Sequence, residues 1–302
     1  MSTVATSPAP RREALRGHAA MLLFSALVAG SFSLGVRSAN LIDPAAITAA
    51  RFALATGILG GLVLSLGPGV PRAALAAPWR YLLLGGVFAA YFVLMFEGLK
   101  TAPPVAAAAV FTLTPVMSAG FGWLLMRQRL SLHMAAALAL GAAGALWVIF
   151  RGDLAAMARL EFGRGETIYL LGCAAHAFYT PLVRRLNRGE SPVVFSFGTL
   201  LAGALLLTAW GWPAIRATDW PNLPAIVWTT LIYITVFTTA TTFVLVQYAT
   251  LRLPSAKVMA YTYLTPTWVI VLEAALGGGL PGPVILPGIA ATIAALILLL
   301  RE

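Results

Sequence analysis

Long apolar runs alternate along the whole chain with short breaks that are charged or rich in proline and glycine. Ten runs can be placed, at about 18–36, 43–66, 80–99, 103–126, 132–150, 167–183, 192–211, 223–250, 254–276 and 281–300. Most approach the ~20 apolar residues that carry one helix across a bilayer. The breaks include Gly67-Pro68-Gly69, Pro103-Pro104, Trp212-Pro213 and Pro281-Gly282-Pro283, dipeptides and tripeptides that end helices. Helices are expected because an open sheet cannot satisfy its backbone in lipid, and the alternating ten-residue strands of a barrel are absent. The predicted fold class is an all-α polytopic membrane protein with ten transmembrane helices.

One stretch of this pattern occurs twice. Residues 103–115 read PPVAAAAVFTLTP and residues 254–266 read PSAKVMAYTYLTP. Leu113-Thr114-Pro115 maps onto Leu264-Thr265-Pro266 with a shift of 151, half of the 302 residues. A duplicated half-chain of five helices follows. Five is odd, so the second half enters the membrane from the opposite side, giving two inverted repeats around a central cavity. That is the arrangement of many secondary transporters. The expected organisation is an N-terminal tail over 1–17, a first repeat over 18–150, a linker over 151–166 and a second repeat over 167–302. Within the linker, Leu154, Met157 and Leu160 recur at helical spacing, as in a short interfacial helix. Pro115 and Pro266 each remove a backbone donor within a predicted helix, so both are expected to act as helix hinges.

Composition narrows the function. Apolar residues make up 60% of the chain and charged residues 10%, and the mean hydropathy is +0.89. A soluble domain carries about 25% charged residues, so no soluble catalytic or nucleotide-binding domain is left over. The net charge of +10 would suggest nucleic acid in a soluble protein; here it sets topology. Twelve arginines, from Arg11 to Arg301, fall on the N-terminal side of the predicted spans, against six basic residues on the other. Both termini are therefore expected in the cytoplasm, with 151–166 outside. Arg11, Arg12 and Arg16 precede an apolar run, Ala19–Val36, that is long for a signal core and reads as an uncleaved first span.

Cys173 is the single cysteine, so no intrachain disulfide forms. Lysine occurs only at 100 and 257, which removes a phosphate-binding Gly-x-x-x-x-Gly-Lys loop, and neither His-Glu-x-x-His nor Gly-x-Ser-x-Gly is present. No cofactor, metal or enzymatic activity is expected. The expected partners are a small-molecule solute and the lipid bilayer, not nucleic acid, with the chain a monomer or homodimer.

Further motifs resemble those of a known family. Gly30-Ser31-Phe32, Asp43-Pro44 with Arg51-Phe52, Gln128-Arg129-Leu130-Ser131, Tyr179-Thr180, Arg184-Arg185 and Ser191-Pro192 take the places of motifs in the drug/metabolite transporter superfamily with two EamA-type repeats. Gln128 stands where that family often has glutamate, and Ala29 and His176 where tryptophan is common. The resemblance implies a ten-helix basket with a cavity lined mainly by helices 1, 3, 4, 6, 8 and 9. It also implies export of small metabolites, often amino acids, with bacterial aromatic amino-acid exporters as the nearest relatives.

Candidate site residues follow from side chains that do not belong in lipid. In the ninth span Lys257, Tyr261, Leu264 and Trp268 are spaced four, three and four apart, on one helix face. Functionally that face receives a ring or a carboxylate; structurally it is helix packing, with Lys257 snorkelling to the interface. His176 is an intramembrane titratable group with Tyr179 three residues on, and such groups mark solute or proton paths. Tyr91 completes the substrate-binding set of Tyr91, His176, Tyr179, Tyr261 and Trp268. Glu97, Glu273 and Lys257 are candidates for energy coupling. Arg51 is expected to pair with Asp43 or to snorkel outward. Thr235, Thr238, Thr239, Thr241 and Thr242 either line a polar cavity or bond their own helix. Gly57 and Gly61 form a Gly-x-x-x-Gly pair for close helix contact. A secondary transporter fits best; a passive channel or facilitator for small solutes is the alternative, ahead of a membrane-embedded lipid-modifying enzyme.

Overall fold

Asp43 shows how local chemistry starts one of these helices. Its carboxylate accepts the Ala45 N–H at 2.7 Å, and Pro44 occupies the first turn, where a missing N–H costs nothing. Ser191 and Pro192 repeat the device at another helix. In the computed structural model, which describes residues 8–66, 69–128, 130–159, 161–277 and 279–300, the chain is helical throughout its regular structure and no strand occurs among these residues. Gly67, Pro68, Arg129, Leu160 and Arg301 lie outside the described residues.

The principal helices are α1 (Pro8–Ser38), α2 (Pro44–Gly61, continued by a π-helical turn Leu62–Leu66), α3 (Trp79–Leu99) and α4, in two pieces (Pro104–Phe111 and Thr114–Met126). They continue with α5 (Leu132–Ile149), α6 (Arg164–Leu186), α7 (Pro192–Trp210) and α8, which is interrupted by a π-helix (Ala225–Thr235, Val236–Thr241, Thr242–Thr250). The last two are α9 (Ser255–Ala260, a 3₁₀ turn Tyr261–Leu264, then Thr265–Ala275) and α10 (Leu286–Leu300, preceded by a 3₁₀ turn Pro283–Ile285). Among the described residues, eight of these are long and apolar enough to cross a membrane; α6 and α9 are not. Those two carry His176, Tyr179, Thr180, Lys257, Thr262 and Thr265, which lower their mean hydropathy. Residues expected as a tail are already helical from Pro8, and the linker holds a short helix, Leu154–Arg159.

Helix contacts come in matched sets. α3 lies along α6 as α8 lies along α1; α4 meets α6 as α9 meets α1; α3 meets α7 as α8 meets α2. The pairs α2–α7, α4–α9 and α5–α10 are their own mates under the same exchange. The two halves are thus related by a pseudo-two-fold axis. α9 begins beside His18 and ends beside Arg37. α4 follows Lys100, whose carbonyl meets Asn40 at the far end of α1, and runs toward Arg185. The equivalent helices of the two halves therefore start at opposite ends of the molecule, and the repeats are inverted.

The repeated Leu-Thr-Pro marks a helix break rather than a bend within a continuous helix. α4 stops at Phe111 and restarts at Thr114, and α9 tightens to 3₁₀ over Tyr261–Leu264 and restarts at Thr265. Both prolines occupy the first turn of the new segment, where they cost no hydrogen bond. The two breaks face each other across the pseudo-axis, with Thr114 Oγ1 3.3 Å from Thr262 Oγ1.

Close helix approach is made by glycines other than the expected pair. A Cβ on Gly57 or Gly61 would meet nothing within 4 Å, so both face outward, correcting the packing role read from their spacing. The tight crossings are Gly98 with Gly165 (α3–α6), Gly85 with Gly203 (α3–α7) and Gly144 with Gly288 (α5–α10). At each of them an added Cβ would stand 2.4–2.7 Å from opposing backbone.

Candidate functional site

The centre of the bundle is filled with rings. On α6, Tyr169, Cys173, His176 and Thr180 are spaced four, three and four and form one buried face; α3 presents Phe88, Tyr91 and Phe92 to it. His176 lies 4.6 Å from Tyr91, 5.1 Å from Phe88 and 5.3 Å from Phe111 of α4, centroid to centroid. Tyr179 packs on Phe88 at 4.2 Å, and Phe243 of α8 closes on Phe88 edge-on at 4.4 Å. Side chains thus occupy the space expected as a cavity, and α3, α4, α6 and α8 supply them.

Polar atoms are sparse and specific within these rings. Tyr91 and Tyr169 share a hydrogen bond at 3.2 Å, and Gln247 Nε2 donates to the Tyr179 hydroxyl at 2.9 Å. The His176 Nδ1 and Gln247 Oε1 atoms are buried with no hydrogen-bond partner among the described residues. Leaving such atoms unpaired in low dielectric is costly, so these are the points where a polar solute group gains most. Tyr91, His176 and Tyr179 are brought together here.

Tyr261 and Trp268 are placed elsewhere. They do share one face of α9, but that face meets α1. The Tyr261 hydroxyl bonds His18 Nδ1 at 3.1 Å, and the Trp268 indole N–H donates to Ser25 Oγ at 3.2 Å. Both pairs are separated by 243 positions, the register of two parallel helices. Trp268 remains 37% exposed, against 1% for His176 and 3% for Tyr91. Lys257 is half-buried at the start of α9, on the His18 side of the molecule.

Arg51 was read from sequence as surface-seeking, and the structure corrects this. It is fully buried and makes no ion pair with Asp43, which caps its own helix. Its Nε donates to Thr239 Oγ1 at 2.9 Å, its Nη2 reaches Thr238 Oγ1 at 3.3 Å and Thr238 O at 3.4 Å, and the guanidinium lies 3.7 Å over the Phe92 ring. The π-helix Val236–Thr241 presents those threonines. Thr242 bonds its own helix through the Thr238 carbonyl, and Thr241 through that of Val236. The sequence signal was available in the motif residues: Ser31 donates to the same Thr238 hydroxyl, and Gly30 lies where a Cβ would strike the Tyr233 ring.

Each end of α1 is tied to the second half. At its far end Arg37 forms a bidentate pair with Glu273 at 2.8 and 3.1 Å. A cavity of about 530 Å³ bordered by Pro103, Val105, Arg151, Glu273 and Pro281 opens beside it. At its start Glu13 accepts from Arg252 Nε at 2.6 Å, next to the His18–Tyr261 bond. Glu97 is half-exposed and paired with Lys100 at 2.6 Å.

Comparison with known proteins agrees with this arrangement. A solved crystal structure superposes with a TM-score of 0.70 over 96% of each chain at 22% identity, a likeness of fold. The chain is 23% identical over 260 residues to the uncharacterized transporter YyaM of Bacillus subtilis (strain 168), covering 85% of each. The model of the EamA-like transporter family matches residues 15–150 and 163–301, one match per half. With two inverted five-helix halves and a ring-filled core between them, the chain belongs to the EamA-like transporter family and is a multi-pass membrane transporter of solutes.

Proposed function

We propose that this protein is a secondary transporter that exports small amphipathic metabolites, foremost aromatic or large apolar amino acids, across a bacterial inner membrane by alternating access. Both termini then lie in the cytoplasm and all ten helices span. The observation that carries this reading is the buried cage of Tyr91, His176 and Tyr179 among Phe88, Phe111 and Phe243, with unpaired polar atoms facing flat apolar rings. An aromatic solute that displaced part of this packing would exchange ring for ring, while its charged ends met groups now unsatisfied. The Arg37–Glu273 pair closes the external end and the Glu13–Arg252 and His18–Tyr261 contacts close the cytoplasmic end. Contacts at both ends favour a gated carrier over a passive pore.

The test is reconstitution into liposomes with labelled phenylalanine and other amino acids, reading saturable flux and counterflow. Aromatic contacts contribute ~0.5–1.5 kcal/mol beyond burial, so His176→Ala should raise the half-saturation concentration for phenylalanine by roughly two- to tenfold. Trp268→Ala should have a smaller effect, because its indole is bonded to Ser25 on the flank of α1. Equal effects of the two variants would move the site to the α1–α9 face; no saturable flux of any amino acid would reject the substrate class.

The facing breaks at Thr114 and Thr262 are the hinges of this mechanism. Pro115→Ala with Pro266→Ala, which lets helix continue through both breaks, should slow counterflow without loss of folded protein. Unchanged flux in the double variant would leave the breaks as packing features.

A further inference from the structure

We propose that Arg51 is an anion-recognition residue that binds the carboxylate of the transported solute. The proposal rests on the transporter reading and adds the chemical group that is recognised. A guanidinium carries five N–H donors and stays charged. Here it is fully buried between α2 and α8, and no carboxylate lies within ion-pair distance of it among the described residues. Its Nε and Nη2 are occupied by Thr239 and Thr238, while Nη1 is buried and has no hydrogen-bond partner there. The group is therefore fixed in direction by one edge and unsatisfied at the other.

Two neighbouring hydroxyls share that condition. Thr48 is three residues before Arg51 on the same face of α2, and Thr235 is three before Thr238 on α8; both hydroxyls are buried without partners. A carboxylate offers only acceptors, and these three groups offer donors. A buried positive charge without a counter-ion is the arrangement in which an anion gains most from entering. Arg51 is also one ring removed from the aromatic cage. It stacks on Phe92, which touches Tyr91 at 4.6 Å and Phe88 at 5.0 Å. Arg51 and Phe88 thus contact the same Phe92 ring, at 3.7 Å and 5.0 Å from its centroid. The π-helix has a role in this: widening α8 at Val236–Thr241 turns adjacent threonines 238 and 239 onto one guanidinium.

A structural clamp between α2 and α8 would need the same threonine bonds but would ignore the solute's charge. The experiment separates the two by measuring ligand-induced thermal shifts of the full-length protein in detergent. The probes are phenylalanine, leucine, 3-phenylpropionate, which keeps the carboxylate and lacks the amine, and phenylalaninamide, which lacks the carboxylate. A charge-assisted bond corresponds to roughly ten- to hundredfold in affinity. Phenylalanine and phenylpropionate should bind the parent at least about tenfold more tightly than phenylalaninamide. In Arg51→Gln that preference should collapse. Equal binding of phenylpropionate and phenylalaninamide by the parent overturns the proposal, even if Arg51→Gln does not fold, and leaves the aromatic cage standing. Leucine binding in place of the ring compounds, with the same loss in Arg51→Gln, supports the anion site and rejects the aromatic preference. Binding of no carboxylate among these probes overturns it.

Discussion

Gly98→Ala should destabilise the protein, whereas Gly57→Ala should not, although by helix propensity both gain. Alanine is favoured over glycine within a helix by ~1 kcal/mol, and at Gly57 and Gly61 the added methyl meets open space. At Gly98 it would stand 2.7 Å from the Gly165 carbonyl oxygen and 2.8 Å from Tyr169 Cβ. Backbone cannot swing aside as a side chain does, so α3 and α6 must separate along the contact that joins the two halves. Overpacking of this kind costs ~1–3 kcal/mol, about five- to hundredfold in the folding equilibrium. The same holds for Gly165→Ala, whose methyl would stand 2.4 Å from the Gly98 oxygen. Thermal unfolding in one detergent checks all three variants. If Gly98→Ala melts with Gly57→Ala, the α3–α6 approach is looser than the 2.7 Å from an added Gly98 Cβ to the Gly165 carbonyl oxygen implies.

That contrast shows what could be read in the chain beforehand. Hydrophobic runs and the shift of 151 pointed to the helical class, the two repeats and their inversion, because those depend on local composition and on periodicity within one segment. Pro115 and Pro266 were expected to bend continuous helices, and the structure breaks and restarts the helix there instead. Gly57 and Gly61 were misread because a Gly-x-x-x-Gly spacing states that a face is smooth, not that another helix lies on it. Arg51 was misread because its partners, Thr238 and Thr239, are 187 and 188 residues away and are turned toward it by a π-helix with no marked sequence signal. Tyr261 and Trp268 were correctly placed on one face, but which helix that face meets is decided by the register of α1 and α9. Tyr91, His176 and Tyr179 converge because buried polar and aromatic groups have few other places to go in a bundle surrounded by lipid.

Removing the Glu190 carboxylate should be the most damaging single change at the end of the molecule where α3 begins. Arg80 and Glu190 are both buried there, joined at 2.6 Å. Arg80 Nη1 also donates to the Leu186 carbonyl, and Glu190 accepts the Arg188 N–H, so the pair pins the start of α3 to the α6–α7 turn. Breaking a buried pair by deleting one partner costs ~3–5 kcal/mol, because the other charge is left uncompensated. Glu190→Ala should lower stability by about that amount. Glu190→Gln, which keeps an acceptor for Arg80, should lose less, and Arg80→Met with Glu190→Leu should recover much of the loss. Burial alone raises the Glu190 carboxyl, but the hydrogen bonds from Arg80 and the Arg188 N–H outweigh it and hold the group below the ordinary value of 4.5. A carboxyl depressed in the folded state stabilises fully above its unfolded value and loses that contribution as pH falls through the folded one. The parent should therefore lose stability as the pH drops below about 4.5, and the difference between parent and Glu190→Gln should shrink over that range. A stability difference that stays constant down through that range would show that the Arg80–Glu190 pair contributes packing rather than charge.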